Sequence, residues 1–459
     1  MSETAYTPPA NGAKIIIVGG GCFGLSTAYA LSLKNKYEIW VFDRQQIPAP
    51  DAASTDINKI VRMDYGSCAD YMQMCVEAFG LWHQWNKERA ELNRPPVFHQ
   101  TGVLLFSQNG SFSEFEKESI RQIREAGYGH FIEIYDTPEK LVAKFPRFES
   151  AVKNGFNIAY LNKEGGWCNS AAAVEHLYSK CKANGVHFVL GEEEGSLESV
   201  YCDPKNPSTV VGIKTKDKKI HYADRVVLAT GAWTASILPM YDQVTATGQQ
   251  VIQYRPPKNY IDAYSNDPVW CADLSVTGYY GFPATPGGNL LKVGKHSSGY
   301  LNPRESDKVS VPRTQVTHKD DTIPIGALTE VRQFMSRFHP ETSSMDIVYS
   351  RVCWYADSID GDFIITPHPD YKNLVVATGD SGHGMKFIPI IGMKIRDVIE
   401  GNETYWTKKW AWRDMNTRDT KLDSLRQDSL IQRIILAEEN RPEARFATPE
   451  EHKATRPKL

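Results

Sequence analysis

Lys14-Ile-Ile-Ile-Val18 runs directly into Gly19-Gly20-Gly21-Cys22-Phe23-Gly24, an Ala/Leu-rich helical pattern follows, and Glu38-Ile-Trp-Val-Phe-Asp43 closes the unit on an acid. A strand, a glycine turn, a helix and a second strand in that order form a nucleotide-binding βαβ unit. Gly19 permits the tight turn, Gly21 lets the backbone approach a pyrophosphate, and Gly24 allows close packing of the helix. The helix N-terminus, entered through Cys22 and Phe23, offers N–H groups to the anion. Asp43 is placed to accept hydrogen bonds from a ribose. By itself the turn specifies a dinucleotide and does not choose between nicotinamide and flavin.

The chain has 459 residues, more than one core usually sustains, so two domains with a cleft between them are expected. Net charge is −3, with acids and bases mixed along the chain, which offers no basic field for nucleic acid or an anionic membrane. Eight cysteines stand without paired CxxC spacing, so neither a zinc site nor a disulfide scaffold is expected, and no metal is assigned. No run of 18 apolar residues occurs, and the polar N-terminus lacks the pattern of a secretion signal. A cytoplasmic protein is expected. The ending Pro457-Lys-Leu459 keeps the Lys-Leu of a peroxisomal tripeptide but has Pro where a small residue belongs, a weak address.

Asp224 to Gly231 and Leu374 to Gly379 repeat the pattern of an apolar strand stopped at a glycine, with a helix expected from Ile391 to Ile399. Ala172 to Asn184 reads as a helix feeding the strand Val186 to Leu190. The fold class is α/β, with a Rossmann-like nucleotide domain assembled discontinuously from residues 12–94, 155–242 and 346–404. Residues 95–154 and 243–345, rich in aromatics, prolines and alternating strands, are assigned to a substrate domain on a mixed or antiparallel sheet. Residues 405–459 form a charged appendage with no chemistry to name.

The segment Ala53 to Gly66 carries Asn58, Lys59, Ile60 and Arg62 near the expected business end of the nucleotide. The planar fork of Arg62 suits a substrate carboxylate, although two solvated surface cations would read the same way. Cys353, amid Val352, Trp354 and Tyr355, reads on its own as an inert core cysteine. Lys292 sits inside an apolar strand pattern with His296 four residues on, and a strand lysine can simply face water. Gly379-Asp380-Ser381-Gly382-His383-Gly384-Met385-Lys386 reads as a turn before a helix N-terminus, a cradle for an electron-rich ring or a carboxylate, or a structural turn.

Together and in this order, these segments resemble the flavin-dependent amine oxidases that include monomeric sarcosine, pipecolate, saccharopine and fructosyl amino-acid oxidases. The resemblance spans residues 14 to about 412. It implies FAD, bound covalently through its 8α-methyl to Cys353. It also implies that Lys292 lies over the flavin ring and activates dioxygen, and that Arg62 and Lys386 grip a substrate carboxylate. Lys59 is implied near the flavin, Tyr280 and Tyr355 in the pocket wall, and Val186 at an FAD contact, with Asn58, Ile60, Asp380, Gly382, Gly384 and Met385 beside the cofactor. Asp56 to Ile60 and Gly379 to His383 are similar to fructosyl amino-acid oxidases, but His296 stands where those enzymes carry an acid. Arg62-Met-Asp64-Tyr65 is closer to the saccharopine and pipecolate enzymes.

The implied reaction is oxidation of a secondary amine next to a carboxylate, with Lys292, Lys59 and His296 as catalytic residues. Hydride passes to FAD, the imine hydrolyses, and dioxygen becomes hydrogen peroxide, with the helix N-terminus after Gly382 expected to stabilise the reduced ring. A fructosyl amino-acid oxidase, a flavin dehydrogenase with another electron acceptor, a nicotinamide reductase and a protein that holds FAD for structure alone are the alternatives. The expected partners are an amino-acid substrate and dioxygen, and the expected state is a monomer.

Overall fold

The computed structural model describes residues 6–285, 288–414, 434–438 and 440–454. Pro457, Lys458 and Leu459, the candidate address, lie outside the described residues.

The strand Lys14–Val18 sits inside a six-stranded sheet, flanked in parallel by Glu38–Asp43 on one side and Arg225–Leu228 on the other. His187–Leu190 and Leu374–Thr378 extend it in parallel, and Ile364–Pro367 closes one edge antiparallel. Its alternation explains why Lys14–Val18 is apolar almost throughout. Ile15 and Ile17 pack under the helices, whereas Ile16 and Val18 face a second apolar layer with Val210 and Ile213. The helices Cys22–Ser32, Ser170–Ala183 and Ile391–Ile399 cover the first face. The first and last approach so closely that a Cβ on Gly392 would lie 1.8 Å from the Ser26 carbonyl oxygen.

The second body is a ten-stranded, largely antiparallel sheet whose long strands Val244–Tyr254 and Ile347–Ser358 pair along almost their whole length. On one face Trp270, Tyr279 and Val293 pack against the helix Ile325–Phe338 through Val331, Phe334 and Phe338. On the other, Val103, Leu105, Tyr160 and Phe282 pack with Phe115 and Ile60, toward the nucleotide domain.

The topology corrects the expected domain boundaries at three places. Ile158–Asn162, expected in the nucleotide domain, pairs with Val103–Ser107 and Ile132–Tyr135 in the large sheet. Ile347–Ser358, also expected there, pairs with Val244–Tyr254. The C-terminal residues are divided between both bodies: Trp410 is fully buried against Phe363, while Ile434–Ile435 adds a short strand beside Tyr300–Leu301. Strand pairing is long-range, so no local composition signal marks these changes of partner. Among the described residues, no helix is long and apolar enough to cross a membrane, and no group of three His, Cys, Asp or Glu could hold a metal ion.

Candidate active site

Gly21 precedes the helix Cys22–Ser32 with no side-chain capping bond, leaving first-turn N–H groups open toward a cleft of about 520 Å³. Gly19 has φ +109°, and a Cβ there would stand 2.3 Å from the Ala229 carbonyl oxygen. A Cβ on Gly24 would fall 1.8 Å from the Gly19 oxygen, so Gly24 serves packing behind the cleft and does not line it. At Gly21 the nearest protein atom to such a Cβ is Ser54 Oγ at 3.2 Å, so the backbone there is open to a ligand. Asp43 lines the cleft, its Oδ2 accepting from Gly20 N at 2.7 Å and its Oδ1 from Gln45 N at 2.9 Å, while burial pushes its carboxyl up.

The cleft runs past Cys22 and Phe23 to Asp380, Gly382, Gly384 and Met385. There it meets a second cavity of about 320 Å³, with Lys59, Tyr355, Gly382 and Met385 in both walls. Gly382, at φ +75°, has no room for a Cβ, which would lie 2.2 Å from the Tyr355 ring. Burial raises the Asp380 carboxyl to about 6, although the Ala356 N–H partly offsets this by donating to it. Asn58 is fully buried with neither side-chain amide atom partnered within the protein. An open glycine turn and a cleft reaching from a βαβ unit to a second cavity fit an FAD, whereas Asn58, expected beside the cofactor, lines neither cavity.

Lys292, His296, Arg62, Lys386, Ile60 and Tyr280 all line the second cavity. Lys292 comes from Leu291–Lys295 and is 1% exposed; its Nζ pairs with the Asp56 carboxylate at 2.8 Å and donates to the Asn58 carbonyl at 2.6 Å. Burial pulls its ammonium down to about 8, and the charge of Asp56 works against that fall. The lysine therefore faces the cavity and not water. Arg62 is held between the rings of Phe115 and Tyr65, and its buried Nη1 has no partner in the protein. Lys386 is buried, and its own burial together with the charge of Arg62 pulls it down to about 7. Two desolvated cations in one small cavity call for an anion.

Cys353 is a free thiol, 2% exposed, in the same strand and on the same face as Tyr355. It packs with Tyr355 and against Ala53, both of which line the cofactor cleft.

Two expectations are corrected. Val186 is core, packed with Leu177 and Cys181, because its N–H closes the end of the preceding helix onto the Cys181 carbonyl. The chain reaches the cleft later, at Gly195, Ser196 and Leu197. The Gly382 turn also does not open an α-helix. A single turn, Met385–Phe387, follows it, and the helix begins only at Ile391, too far to lend its dipole to the cavity.

No motif in the sequence marks Asp56, Tyr65, Phe115, Phe282 or His383 as site residues, yet all five belong to the site. Asp56 is the buried counter-ion of Lys292, and the others line the second cavity. The signal available was the proximity of Asp56 and Tyr65 to Lys59 and Arg62 in one short segment.

Residues 14–398 match the family of FAD dependent oxidoreductases. The chain is similar to L-saccharopine oxidase of Schizosaccharomyces pombe, at 29% identity, covering 87% of this chain and 93% of that protein. It is similar also to monomeric sarcosine oxidase of a Bacillus species, at 25% identity over 85% and 93% of the two chains. Among solved structures, fructosyl peptide oxidase from E. terrenum superposes with a TM-score of 0.81 at 27% identity, covering 94% of this chain and 98% of that one. With the family matched over most of its length and a cleft built for the cofactor, this chain belongs to the FAD dependent oxidoreductases.

Proposed function

We propose that this chain is an FAD-dependent oxidase of amino acids that carry a secondary amine beside the carboxylate, with the saccharopine, pipecolate and sarcosine type as substrate class. The observation that carries the reading is the pairing of buried Arg62 and Lys386 in a cavity that meets the cofactor cleft at Tyr355 and Gly382. Bound FAD supplies the hydride acceptor that turns the amine into an imine and hands the electrons to dioxygen, giving hydrogen peroxide.

The residues of the chain do the rest by position and charge. Arg62, with its open Nη1, and Lys386 hold the carboxylate and so orient the α-carbon toward the junction of the two cavities. Lys59, Lys292 and Lys386 surround the amine with positive charge, which favours its neutral, reactive form. Tyr280 and Tyr355 wall the cavity, and Ile60, Phe115, Leu274 and Phe282 exclude water from it. Lys292 stands as the cation for the negative charge that develops as dioxygen is reduced. Cys353, buried on the cleft face of its strand, is the residue proposed to bond FAD covalently. His296 is proposed as a neighbour of the reacting amine, from its place in the cavity wall.

The test is an anaerobic panel of sarcosine, pipecolate, saccharopine, N-methyl aromatic amino acids and fructosyl-lysine, scored by loss of flavin absorbance and then by peroxide on admitting air. Bleaching by a secondary-amine amino acid with peroxide on reoxidation is expected. A flavin that no amino acid bleaches overturns the reading, and bleaching without peroxide makes the protein a dehydrogenase.

A further inference from the structure

Lys386 ends a row of hydrogen bonds. Its Nζ donates to the Tyr65 hydroxyl oxygen at 2.9 Å, that hydroxyl lies 3.0 Å from His383 Nδ1, and His383 Nε2 lies 2.9 Å from the Gly361 carbonyl oxygen. The carbonyl only accepts, so Nε2 carries the hydrogen, and in the neutral ring Nδ1 is then the acceptor. Tyr65 therefore donates to His383, and a lone pair on its oxygen receives Lys386. Packing holds both rings: His383 stacks on Phe363 at 4.7 Å and Tyr65 on Tyr71 at 5.4 Å. Gly361, at φ +82°, sits in a loop clamped from outside by Arg413. The Arg413 guanidinium takes both oxygens of Asp360 at 2.9 Å and donates to the backbone oxygens of Asp362 at 3.0 Å and Phe363 at 2.8 Å.

We propose that Tyr65 and His383 are positioning residues that aim Lys386 at the substrate carboxylate, with Arg413 anchoring the row from the C-terminal segment. The inference rests on the reading of Lys386 given under the proposed function. A lysine is a point charge on a flexible stem, without the fixed fork of an arginine, so its direction must be supplied from outside. The Tyr65 hydroxyl does this while leaving the other Nζ donors to the cavity. Being neutral, it also leaves the charge of Lys386 unspent, where a carboxylate partner would compete with the substrate. The row gives the C-terminal segment a part in the site: Arg413 reaches Lys386 through one loop and two side chains.

The experiment is anaerobic flavin reduction of the holoenzyme by the best amino acid of the panel and by its methyl ester, which keeps the amine and loses the carboxylate charge. Tyr65→Phe and His383→Leu are expected to raise the dissociation constant of the acid about tenfold, as for loss of one hydrogen bond to a charged group. The limiting reduction rate is expected to change less, and the ester's kinetics to stay near wild type. His383→Gln, whose amide can accept from Tyr65 and donate to Gly361, is expected to restore most of the affinity. The inference is overturned if the acid binds both variants as it binds wild type, if acid and ester weaken together, or if His383→Gln is as impaired as His383→Leu. Should Tyr65→Phe fail to retain flavin, the two His383 variants decide alone. A wild-type protein that no amino acid bleaches overturns the proposed function itself, and the row's role with it.

Discussion

Lys292 Nζ stands 2.8 Å from the Asp56 carboxylate, and neither side chain is more than 2% exposed. Arg351 lies 3.5 Å from the same carboxylate and donates to the carbonyls of Pro50 and Thr55, which pins the segment that carries Asp56. A buried lysine is thus kept charged at the wall of the cavity. Lys292→Met is expected to slow reoxidation by dioxygen about a hundredfold, the usual cost of losing one electrostatic stabiliser. Anaerobic reduction should change far less, and stopped-flow measurement of the two half-reactions checks the difference. Equal losses in both steps would remove Lys292 from the oxygen reaction.

Asp56→Asn should act through Lys292. Burial already lowers the lysine to about 8, and Asp56 opposes that fall, so its loss lowers the lysine further. The protonated fraction at neutral pH then drops, and the pH profile of reoxidation should lose its upper limb at a lower pH than in wild type. Breaking the buried pair should also cost about 3 to 5 kcal/mol of stability, readable from the urea midpoint. A profile that does not move would separate Asp56 from the charge of Lys292.

Arg62→Ala should raise KM for the amino-acid substrate by the loss of a charge-assisted pair, about 2 to 3 kcal/mol. The buried Nη1 has no partner in the protein, so the loss of that donor should appear in substrate binding. Steady-state kinetics under air measures it, and an unchanged KM would take Arg62 out of the carboxylate site.

Cys353→Ser should leave FAD extractable by acid, whereas wild-type flavin should precipitate with the protein. Absorbance of the supernatant after acid treatment decides it. Flavin that stays with the precipitated variant would exclude Cys353 as the point of attachment.

Glu116 is fully buried near Asp273, and burial with that second acid raises its carboxyl from 4.5 to about 8. The folded state therefore holds a proton that the unfolded chain releases between those two values. Stability from this group is fully present below pH 4.5 and is lost as the pH rises through 8. Glu116→Gln should remove that loss, leaving the variant more stable relative to wild type at pH 8 than at pH 5 by on the order of 3 kcal/mol. Urea denaturation at the two pH values checks it, and parallel curves would contradict it.

The glycine turn, the strand before it and the acid after it were legible because each has a local requirement: Gly19 adopts φ +109° and a Cβ on Gly24 would meet the Gly19 oxygen, although the Ala229 carbonyl that also crowds Gly19 comes from a distant part of the chain. Arg62, Lys292 and Lys386 were legible only as members of motifs, since a strand lysine and a loop arginine look alike whether buried or solvated. Val186 was misplaced by a short distance along the chain. The strand that follows it ends at Leu190, and the backbone enters the cleft only after the turn near Gly195, where a Cβ would lie 2.2 Å from the Asp43 carbonyl oxygen. Tyr65 and His383 gave no sign of their link, because the hydrogen bond between them spans most of the chain.

From sequence alone came the dinucleotide turn, the alternation of buried strands and the set of cations that could meet an anion. Local sterics and periodicity determine those features, and they survive in any environment. Tertiary structure decided which of the cations lose water, which acid answers Lys292, and which strands change partner between the two sheets. Desolvation and long-range pairing arise only when distant segments close on one another, and at this site they turn scattered Lys, Arg and Tyr residues into one cavity beside the glycine turn.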